Sequence, residues 1–285
     1  LKLRLSYGTS GNSSIGNYAS LGLYGSGANY GGYPGIVPIQ LNNNEISWEK
    51  ISSFNIGFES RLFKRLDLEF EYYERESDGL LYGKPLSAAK GFGSITTNLG
   101  AMVNKGFETT LNFDVINRND FNYTINFNIS TNSNKILNLV KDDIKSGTKL
   151  LEEGASLYQF YMREWAGVNP ENGLPMWYVN VESDDDENTE LPNSAYDDPL
   201  GSNRKVTSEY TDAERTRLGL ALPDFFGGLT NSLSYKNFEL SFYFYYSLGG
   251  KIYNGDYASN MHDGTQSGNN LALDAQNAWT PNNRY

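Results

Sequence analysis

The stretch FNYTINFNIS, residues 121–130, decides the fold class. Apolar side chains occupy its odd positions and polar side chains its even positions, and this two-residue period is that of a β-strand with one apolar face. The same alternation recurs along the chain in residues 1–7, 54–58, 66–72, 107–115 and 238–248, and less regularly in residues 223–235. The sequence therefore predicts about seven long strands.

The connections between these strands are alternately short and long. Short turns fall in residues 61–65, 117–120 and 236–237, and strands joined so tightly are antiparallel neighbours. Long connections follow Gly8, Ser77, Thr131 and Gly249. Short periplasmic turns and long external loops give outer-membrane barrels this rhythm.

The long connections differ in what they are expected to contain. Residues 9–45 and 78–100 are rich in Gly, Asn, Ser and Pro without a sustained period, so we predict irregular structure there. Residues 132–222 exceed the usual length of a loop and should carry structure of their own. We predict a small hairpin of residues 158–168 and 174–179 within this connection.

Alternation alone does not separate a membrane barrel from a soluble sandwich, which also buries one face of each strand. Strand length does, because ten residues at about 3.3 Å each, tilted near 45°, cover roughly 23 Å, close to the apolar band of an outer-membrane barrel. Soluble strands average about five or six residues. The predicted fold class is all-β, part of a large antiparallel transmembrane β-barrel with long extracellular loops. All 285 residues are expected to belong to that barrel domain, as a piece of a longer chain.

Composition excludes several classes of protein. The 23 Lys and Arg against 34 Asp and Glu give a net charge of −11, which disfavours nucleic acid as a partner. Cysteine is absent and His262 is the one histidine, so disulfides, thiolate catalysis and Cys or His metal clusters are excluded. The mean hydropathy is −0.53 and no run approaches 18 apolar residues, so no transmembrane helix is predicted.

Six blocks of sequence, in order along the chain, resemble the SusC/RagA-type TonB-dependent transporters of Bacteroidota outer membranes. They are residues 2–12, KLRLSYGTSGN (family pattern KLRxSYGxTGN); 48–57, WEKISSFNIG (WExTxxxNxG); 104–108, NKGFE (NKGxE); 165–175, WAGVNPENGLP (WAGxDPxTGxP); 223–240, PDFFGGLTNSLSYKNFEL (PxFxGGxxNxxxYKxFxL); and 279–283, WTPNN (WTPENP). Asn169 and Asn172 depart from the commoner Asp and Thr of the fourth pattern.

The resemblance implies a 22-stranded outer-membrane barrel, of which this chain lacks the N-terminal plug, the TonB box and the last strands. It implies active import of oligosaccharides or peptides, without catalysis and without a cofactor. The implied partners are a SusD-like surface lipoprotein that acts as a lid, TonB–ExbBD, outer-membrane lipid and the imported ligand. Two alternatives stay open: a soluble or surface-anchored all-β carbohydrate-binding protein, and a passive porin.

Aromatic residues in the long connections are the candidates for contact with the substrate or the lid, because a flat ring offers apolar area and a polar tip. They are Tyr24, Tyr30, Tyr33, Tyr158, Tyr161, Trp177, Tyr253 and Tyr257. The alternative for each is packing within its loop. Trp48 and Trp165 lie in the family blocks and are interpreted as structural.

Other polar features have simpler explanations than chemistry. Residues 182–190, ESDDDENTE, offer carboxylates to Ca²⁺ but lack EF-hand spacing, so a solvated loop is favoured. A polar lumen explains the carboxylates that alternate with the apolar residues, namely Asp67, Glu69, Glu71, Glu108, Asp114 and Glu239. His262 has no partner base or nucleophile, and Gly227 and Gly228 are interpreted as turn or strand-bend glycines.

Overall fold

A computed structural model describes residues 1–139, 144–179 and 191–284. Contacts divide the chain into two compact units. The first unit comprises Leu1–Ile144, Leu151–Tyr158 and Leu222–Gly249, and the second comprises Lys145–Leu150, Gln159–Ala221 and Gly250–Tyr285. The fold is nearly all β.

The elements follow one another along the chain as β1 (Lys2–Asn12), β2 (Leu23–Tyr30), β3 (Tyr33–Gln40), β4 (Glu49–Leu62), β5 (Leu66–Asp78), β6 (Leu81–Pro85), β7 (Ser94–Asn98), β8 (Ala101–Asn117), β9 (Phe121–Ser130), β10 (Ser133–Asn138), β11 (Ile144–Ser146), β12 (Lys149–Leu151), β13 (Gln159–Arg163), β14 (Trp165–Val168), β15 (Pro175–Tyr178), β16 (Tyr196–Asp197), β17 (Lys205–Thr207), β18 (Arg215–Leu220), β19 (Phe225–Tyr235), β20 (Phe238–Leu248) and the short helix α1 (Gly255–Asn260). Ala88–Lys90 and Leu273–Asn277 form 3₁₀ turns. No helix within the described ranges has the length and apolar composition needed to cross a bilayer.

The first unit is built on an antiparallel sheet in the order β1-β4-β5-β8-β9-β19-β20, which we call the wall. Its seven strands are the seven long strands that the alternation predicts. The wall strands have 10 to 17 residues, well above the soluble average. The predicted all-β architecture of long antiparallel strands is therefore confirmed.

Tight turns fix the register of the wall at one end. Tyr235 pairs with Phe238 across the two-residue turn, where Lys236 has a φ of 51°. Leu62 pairs with Leu66, and Phe63 and Lys64 between them have φ of 52° and 59°. Positive φ at such turns matches the right-handed twist of the strands they join.

Strand β8 is longer than its partner β9, and β10 covers the excess. Ser130 pairs with Glu108, and after a break at residues 131–132 Ser133 pairs with Lys105, so β10 resumes the register of β9. Strand β19 pairs with β9 only as far as Ser130. The wall is thus uneven at the end opposite the tight turns.

Two of the irregular connections contain hairpins, which corrects the prediction for residues 9–45 and 78–100. β2 pairs with β3 across Gly31 and Gly32, and β6 pairs with β7. The period of β2 and β3 is interrupted by register shifts, and Pro34 and Pro38 lie in β3, so the pair does not show the alternation of a wall strand.

The second unit is built on two four-stranded sheets, β11-β12-β13-β18 and β14-β15-β17-β16. A small core of Ala166, Met176 and Val206 lies beneath the second of these sheets. The predicted hairpin is confirmed where β14 pairs with β15, but its first part is wrong, because Gln159–Arg163 pairs with β18 instead. The consecutive strands β13 and β14 thus belong to different sheets.

Candidate functional site

One face of the wall is apolar across all seven strands. Phe58 pairs with Phe70, and Phe107 lies diagonally across from Phe70 because it pairs with Tyr72. The ring centroids are 5.6 Å apart for Phe58 and Phe70, and 6.3 Å apart for Phe70 and Phe107. Leu3 is 76% exposed and Phe238 is 79% exposed. Soluble monomers rarely expose a continuous apolar patch of this extent, and a bilayer covers such a face in outer-membrane barrels.

On β5 and β8 the apolar face ends at an ion pair. On β5 the series Leu66, Leu68, Phe70, Tyr72 is followed by Glu74. Glu74 accepts hydrogen bonds from the Tyr72 hydroxyl (3.1 Å) and from Lys105 Nζ (3.1 Å). An aromatic residue followed by an ion pair marks the boundary between the hydrocarbon and the water above it.

Asn231 is a polar residue on the apolar face, and its side-chain amide is hydrogen-bonded to a tyrosine. Its register partners are Ile125 and Phe242, it is buried, and its Oδ1 accepts a hydrogen bond of 2.8 Å from the Tyr123 hydroxyl. Because the surroundings of this amide hold few other polar groups, the bond replaces the water that the amide would otherwise need.

Tyr123→Phe should lower the free energy of unfolding of the full-length barrel by about 1–3 kcal/mol, since the Asn231 amide loses its donor in an apolar environment. Urea titration in lipid vesicles measures the change. Tyr235→Phe is the control, because the Tyr235 ring lies on the same face. The double variant Tyr123→Phe, Asn231→Leu should recover most of the loss, and an effect no larger than that of the control contradicts this account.

The opposite face of the wall carries a network of ion pairs, on the side that is the lumen of a barrel. Arg4 of β1 contacts Glu59 of β4, and its Nη2 lies 2.7 Å from Glu69 and 3.1 Å from Glu71 of β5. Arg61 lies 3.6 Å from Asp67 and 3.8 Å from Asp114. Four of the six carboxylates assigned to a polar lumen thus pair with cations that link neighbouring strands.

The motif glycines lie under large side chains. Gly57 pairs with Arg4, and a Cβ there would lie 2.8 Å from the carbonyl oxygen of Phe70. Gly106 pairs with Tyr73, and a Cβ would overlap both the Tyr73 ring and the carbonyl oxygen of Thr131. The motif residue Glu49 accepts hydrogen bonds from Asn12 Nδ2 (2.7 Å) and the backbone N–H of Leu81 (2.8 Å). These blocks of the family pattern therefore have structural roles in the wall.

Of the two alternatives given for Gly227 and Gly228, the turn is wrong, and the position within a strand agrees with the structure. Both lie inside β19, and a Cβ on Gly227 would overlap the carbonyl oxygen of Asn128. The Tyr246 hydroxyl donates a 2.8 Å hydrogen bond to the same oxygen, while the Tyr243 ring covers Gly228. Glycine is required because a neighbouring strand and two tyrosines approach the backbone closely.

Three candidate contact residues lie on the β2–β3 hairpin of the first unit. Tyr30 and Tyr33 pair across the turn, Tyr24 pairs with Pro38, and all three rings are strongly exposed. Ile36 and Ile39 of the same hairpin are also exposed. A two-stranded hairpin with so much exposed apolar area has little stability of its own, so this hairpin offers a surface for contact. Tyr158 also belongs to the first unit, and its side chain is half-buried.

Trp177 lies in the second unit between two exposed rings. Its ring centroid is 5.7 Å from Trp165 and 5.1 Å from Tyr210, both in edge-to-face geometry. Trp165 and Tyr210 are each 54% exposed, while Trp177 is half-buried. The structure therefore groups Trp177 with Trp165, interpreted above as structural, and with Tyr210, which the sequence did not single out.

Arginine side chains cover tyrosine rings beside this group. The guanidinium carbon of Arg163 lies 4.0 Å from the Tyr210 ring centroid, and that of Arg204 lies 3.7 Å from the Tyr178 ring. Arg204 also donates hydrogen bonds of 3.1 and 2.6 Å to Glu164, and this bonding raises the pKa of Arg204. Such stacking fixes the guanidinium planes.

The remaining candidates lie apart from this aromatic group. Tyr161 is on β13 opposite Arg217, with Lys145 Nζ 5.6 Å from its ring centroid. Tyr257 donates a 2.9 Å hydrogen bond to Asp274, which raises the pKa of Tyr257, and Tyr253 is exposed nearby in sequence. The Nδ1 of His262 accepts a hydrogen bond from the backbone N–H of Gly264. The acidic run 182–190 lies outside the described residues. Within residues 1–139, 144–179 and 191–284, no cluster of three potential metal ligands is found.

A wall of long antiparallel strands, apolar on one face and polar on the other, defines a section of an outer-membrane β-barrel. Relatives support this class. The chain is 32% identical over 297 residues to the TonB-dependent receptor P3 of Formosa agariphila, covering 99% of this chain and 28% of that protein. It is 27% identical over 283 residues to the TonB-dependent receptor SusC of Bacteroides thetaiotaomicron, covering 94% of this chain and 27% of SusC.

Solved structures agree with the relatives. The RagAB peptide transporter superposes on 99% of this chain with a TM-score of 0.80 and 29% identity, and this chain covers 30% of that one. No protein-family model matches the chain. The chain is homologous to TonB-dependent receptors, SusC among them, and its all-β fold matches that of the RagAB transporter, so its location is the outer membrane. It spans under a third of the length of these relatives.

Proposed function

We propose that the protein to which this chain belongs is a TonB-dependent importer of oligosaccharides or peptides. The observation that carries the proposal is the wall itself, whose seven strands superpose on the RagAB peptide transporter over 99% of this chain. In this account the apolar face meets lipid, the polar face lines the pathway, and the long connections contact the substrate. The two aromatic groups, on the β2–β3 hairpin and around Trp177, supply those contacts.

The partners are part of the proposal. A SusD-like lipoprotein would cover the external mouth of the barrel, and TonB–ExbBD would release a plug contributed by another part of the protein. The name of the structural relative RagAB supports a complex of this kind. The exposed β2–β3 hairpin is a suitable contact surface for a lid, because its apolar side chains gain more from burial than from exposure to water.

No covalent chemistry is proposed for this chain. Arg4 pairs with Glu69 and Glu71, and Arg61 pairs with Asp67 and Asp114, so these carboxylates link neighbouring strands. A glycosidase would instead need one carboxyl group held in its acid form beside a second carboxylate. The relatives are named as receptors and transporters.

Deletion of the gene in its native host should abolish uptake of at least one pool of fluorescently labelled oligosaccharides or peptides. Re-expression of the full-length protein should restore uptake, and a protonophore should abolish it again, because release of the plug consumes the proton-motive force. Uptake that continues in the presence of the protonophore would identify a passive porin. Recovery of the protein in the aqueous fraction without detergent would identify a carbohydrate-binding protein instead.

A further inference from the structure

One face of the β13–β18 pair concentrates positive charge. Tyr161 pairs with Arg217 and Arg163 pairs with Arg215, so these four side chains share a face, and Lys145 lies over the Tyr161 ring. We call Lys145, Arg163, Arg215 and Arg217 the cationic face. Like charges directly opposite on paired strands destabilise the pairing, so folding alone gives no reason for this arrangement.

The contacts that Arg163 and Arg215 make within the described part of the protein hold these two arginines in place without neutralising them. Arg163 donates from Nε to the carbonyl oxygen of Ala213 (2.7 Å), and Arg215 donates from Nη1 to that of Gly147 (3.0 Å). Among the described residues, no carboxylate forms an ion pair with Arg163, Arg215 or Lys145. Two other cations of the second unit, Arg204 and Lys205, do pair with carboxylates, at 2.6 and 2.8 Å.

This concentration of charge is unexpected in a chain with a net charge of −11. Backbone carbonyls orient the two guanidinium groups but leave their full positive charge, and each retains N–H donors beyond the bond described. A guanidinium fixed in this way binds a carboxylate or a sulfate through two parallel hydrogen bonds at low entropic cost. The cationic face therefore has the charge and the geometry of a site for anionic groups.

The aromatic row begins where the cationic face ends. The Arg163 guanidinium lies over the Tyr210 ring, Tyr210 contacts Trp177, and Trp177 contacts Trp165. Half-exposed rings provide apolar area for the C–H face of a sugar. A peptide strand would be held mainly by backbone hydrogen bonds to a strand edge, whereas the groups collected here are the planes and charges of side chains.

We propose that the cationic face and the aromatic row together bind oligosaccharides that carry carboxylate or sulfate groups. Sugar rings lie on Trp165 and Tyr210, and the anionic substituents bind Arg163 and Arg215. The proposal that these sugars are cargo rests on the proposed import function, but the binding itself does not. A binding measurement on purified protein therefore tests the site separately from transport.

Calorimetric titration of the full-length protein in detergent tests the site. The probes are hexagalacturonate, sulfated maltohexaose, neutral maltohexaose and the peptide hexaglutamate. At low ionic strength at least one of the two anionic sugars should bind at least about tenfold more tightly than maltohexaose, as expected for charge-assisted hydrogen bonds, and the difference should shrink as salt screens the charges. The anionic sugar that binds identifies the preferred substituent.

Matched variants decide which residues hold the anion. Arg163→Gln with Arg215→Gln should weaken binding of the anionic sugar at least about tenfold, whereas Lys205→Gln, at a cation of the same unit already paired with Asp197, should change it less than about twofold. Arg163→Lys with Arg215→Lys keeps the charge and should give an intermediate loss, and it serves if the glutamine variant misfolds. Trp165→Ala should weaken the binding of the anionic sugar more than it weakens the binding of hexaglutamate.

Several results would overturn the proposal. They are equal affinity for maltohexaose and both anionic sugars, no measurable binding of either anionic sugar, arginine variants that match Lys205→Gln, and tighter binding of hexaglutamate than of either anionic sugar. Binding that survives while energised uptake is absent would contradict the import function and leave the site intact. Uptake of neutral sugars or peptides alone, without binding of anionic sugars, would contradict the proposed site and leave the import function intact.

Discussion

Ile125→Arg should strongly destabilise the full-length barrel in a bilayer. Ile125 is in the middle of β9 on the apolar face, between its register partners Phe113 and Asn231. An arginine on the lipid-facing side of a barrel costs about 2–4 kcal/mol near the bilayer midplane. That is a large part of the stability of a typical protein domain.

Asn126→Arg, one residue further along the same strand, is the matched control. Asn126 pairs with Asn112 and Thr230 on the polar face, where the longer side chain reaches water. Both variants should be refolded into lipid vesicles and followed by urea titration and by the mobility shift that folded barrels show when samples are not boiled. Equal tolerance of arginine at both positions would show that the two faces do not meet different solvents.

Gly227→Ala should have an effect of similar size for a different reason. A Cβ at this position would overlap the backbone carbonyl oxygen of Asn128, which already accepts the hydrogen bond from Tyr246. Backbone atoms cannot rotate away, so the β9–β19 pairing must separate locally. We expect a loss of more than about 3 kcal/mol in the free energy of unfolding, at the upper end for insertion of a methyl group into a packed site.

Gly8→Ala is the control for this change, because Gly8 is also a strand glycine and nothing lies within 4 Å of its Cβ position. It should be neutral or slightly stabilising. Gly228→Ala provides a second comparison, since the atoms nearest to the added methyl group belong to the Tyr243 side chain and not to the backbone. The loss at Gly228 should be relieved by Tyr243→Ala, whereas no side-chain change should relieve Gly227→Ala. Equal unfolding midpoints for Gly8→Ala and Gly227→Ala would contradict the close approach of β9 and β19.

The wall could be predicted from the sequence because one face of each strand is apolar and suited to lipid, whereas the other face is polar and suited to water. A strand such as Phe121–Ser130 must alternate at every residue, and its tight turns are local in sequence. The β2–β3 hairpin escaped detection because its register shifts and prolines break that period. The β13–β18 pairing escaped because Phe160 and Gly219 are distant in the chain and no local pattern connects them.

The same distinction applies to the candidate site. Trp177 and Tyr161 stood out from the sequence because aromatic residues in a long connection are conspicuous. Arg163, Tyr210 and Arg215 did not, because isolated charged and aromatic residues are normally solvated or packed singly. Pairing across a sheet places Arg163 opposite Arg215, and the turn that follows β17 places the Tyr210 ring against Trp177. Composition could therefore identify the segment but not the surface that it forms.

The pairing of β9 with β19 brings together two strands between which the chain makes a long excursion. Ser130 and Phe226 are direct neighbours in the ladder, although the second four-stranded sheet and its core are encoded between them. Apart from β10, which pairs with the end of β8, no residue of that excursion takes part in the wall. The sequence of this connection can therefore change, or be replaced by that of a paralogue, while the strands of the wall keep their order. Evolution can alter what such a receptor recognises without having to solve again the problem of inserting it in the membrane.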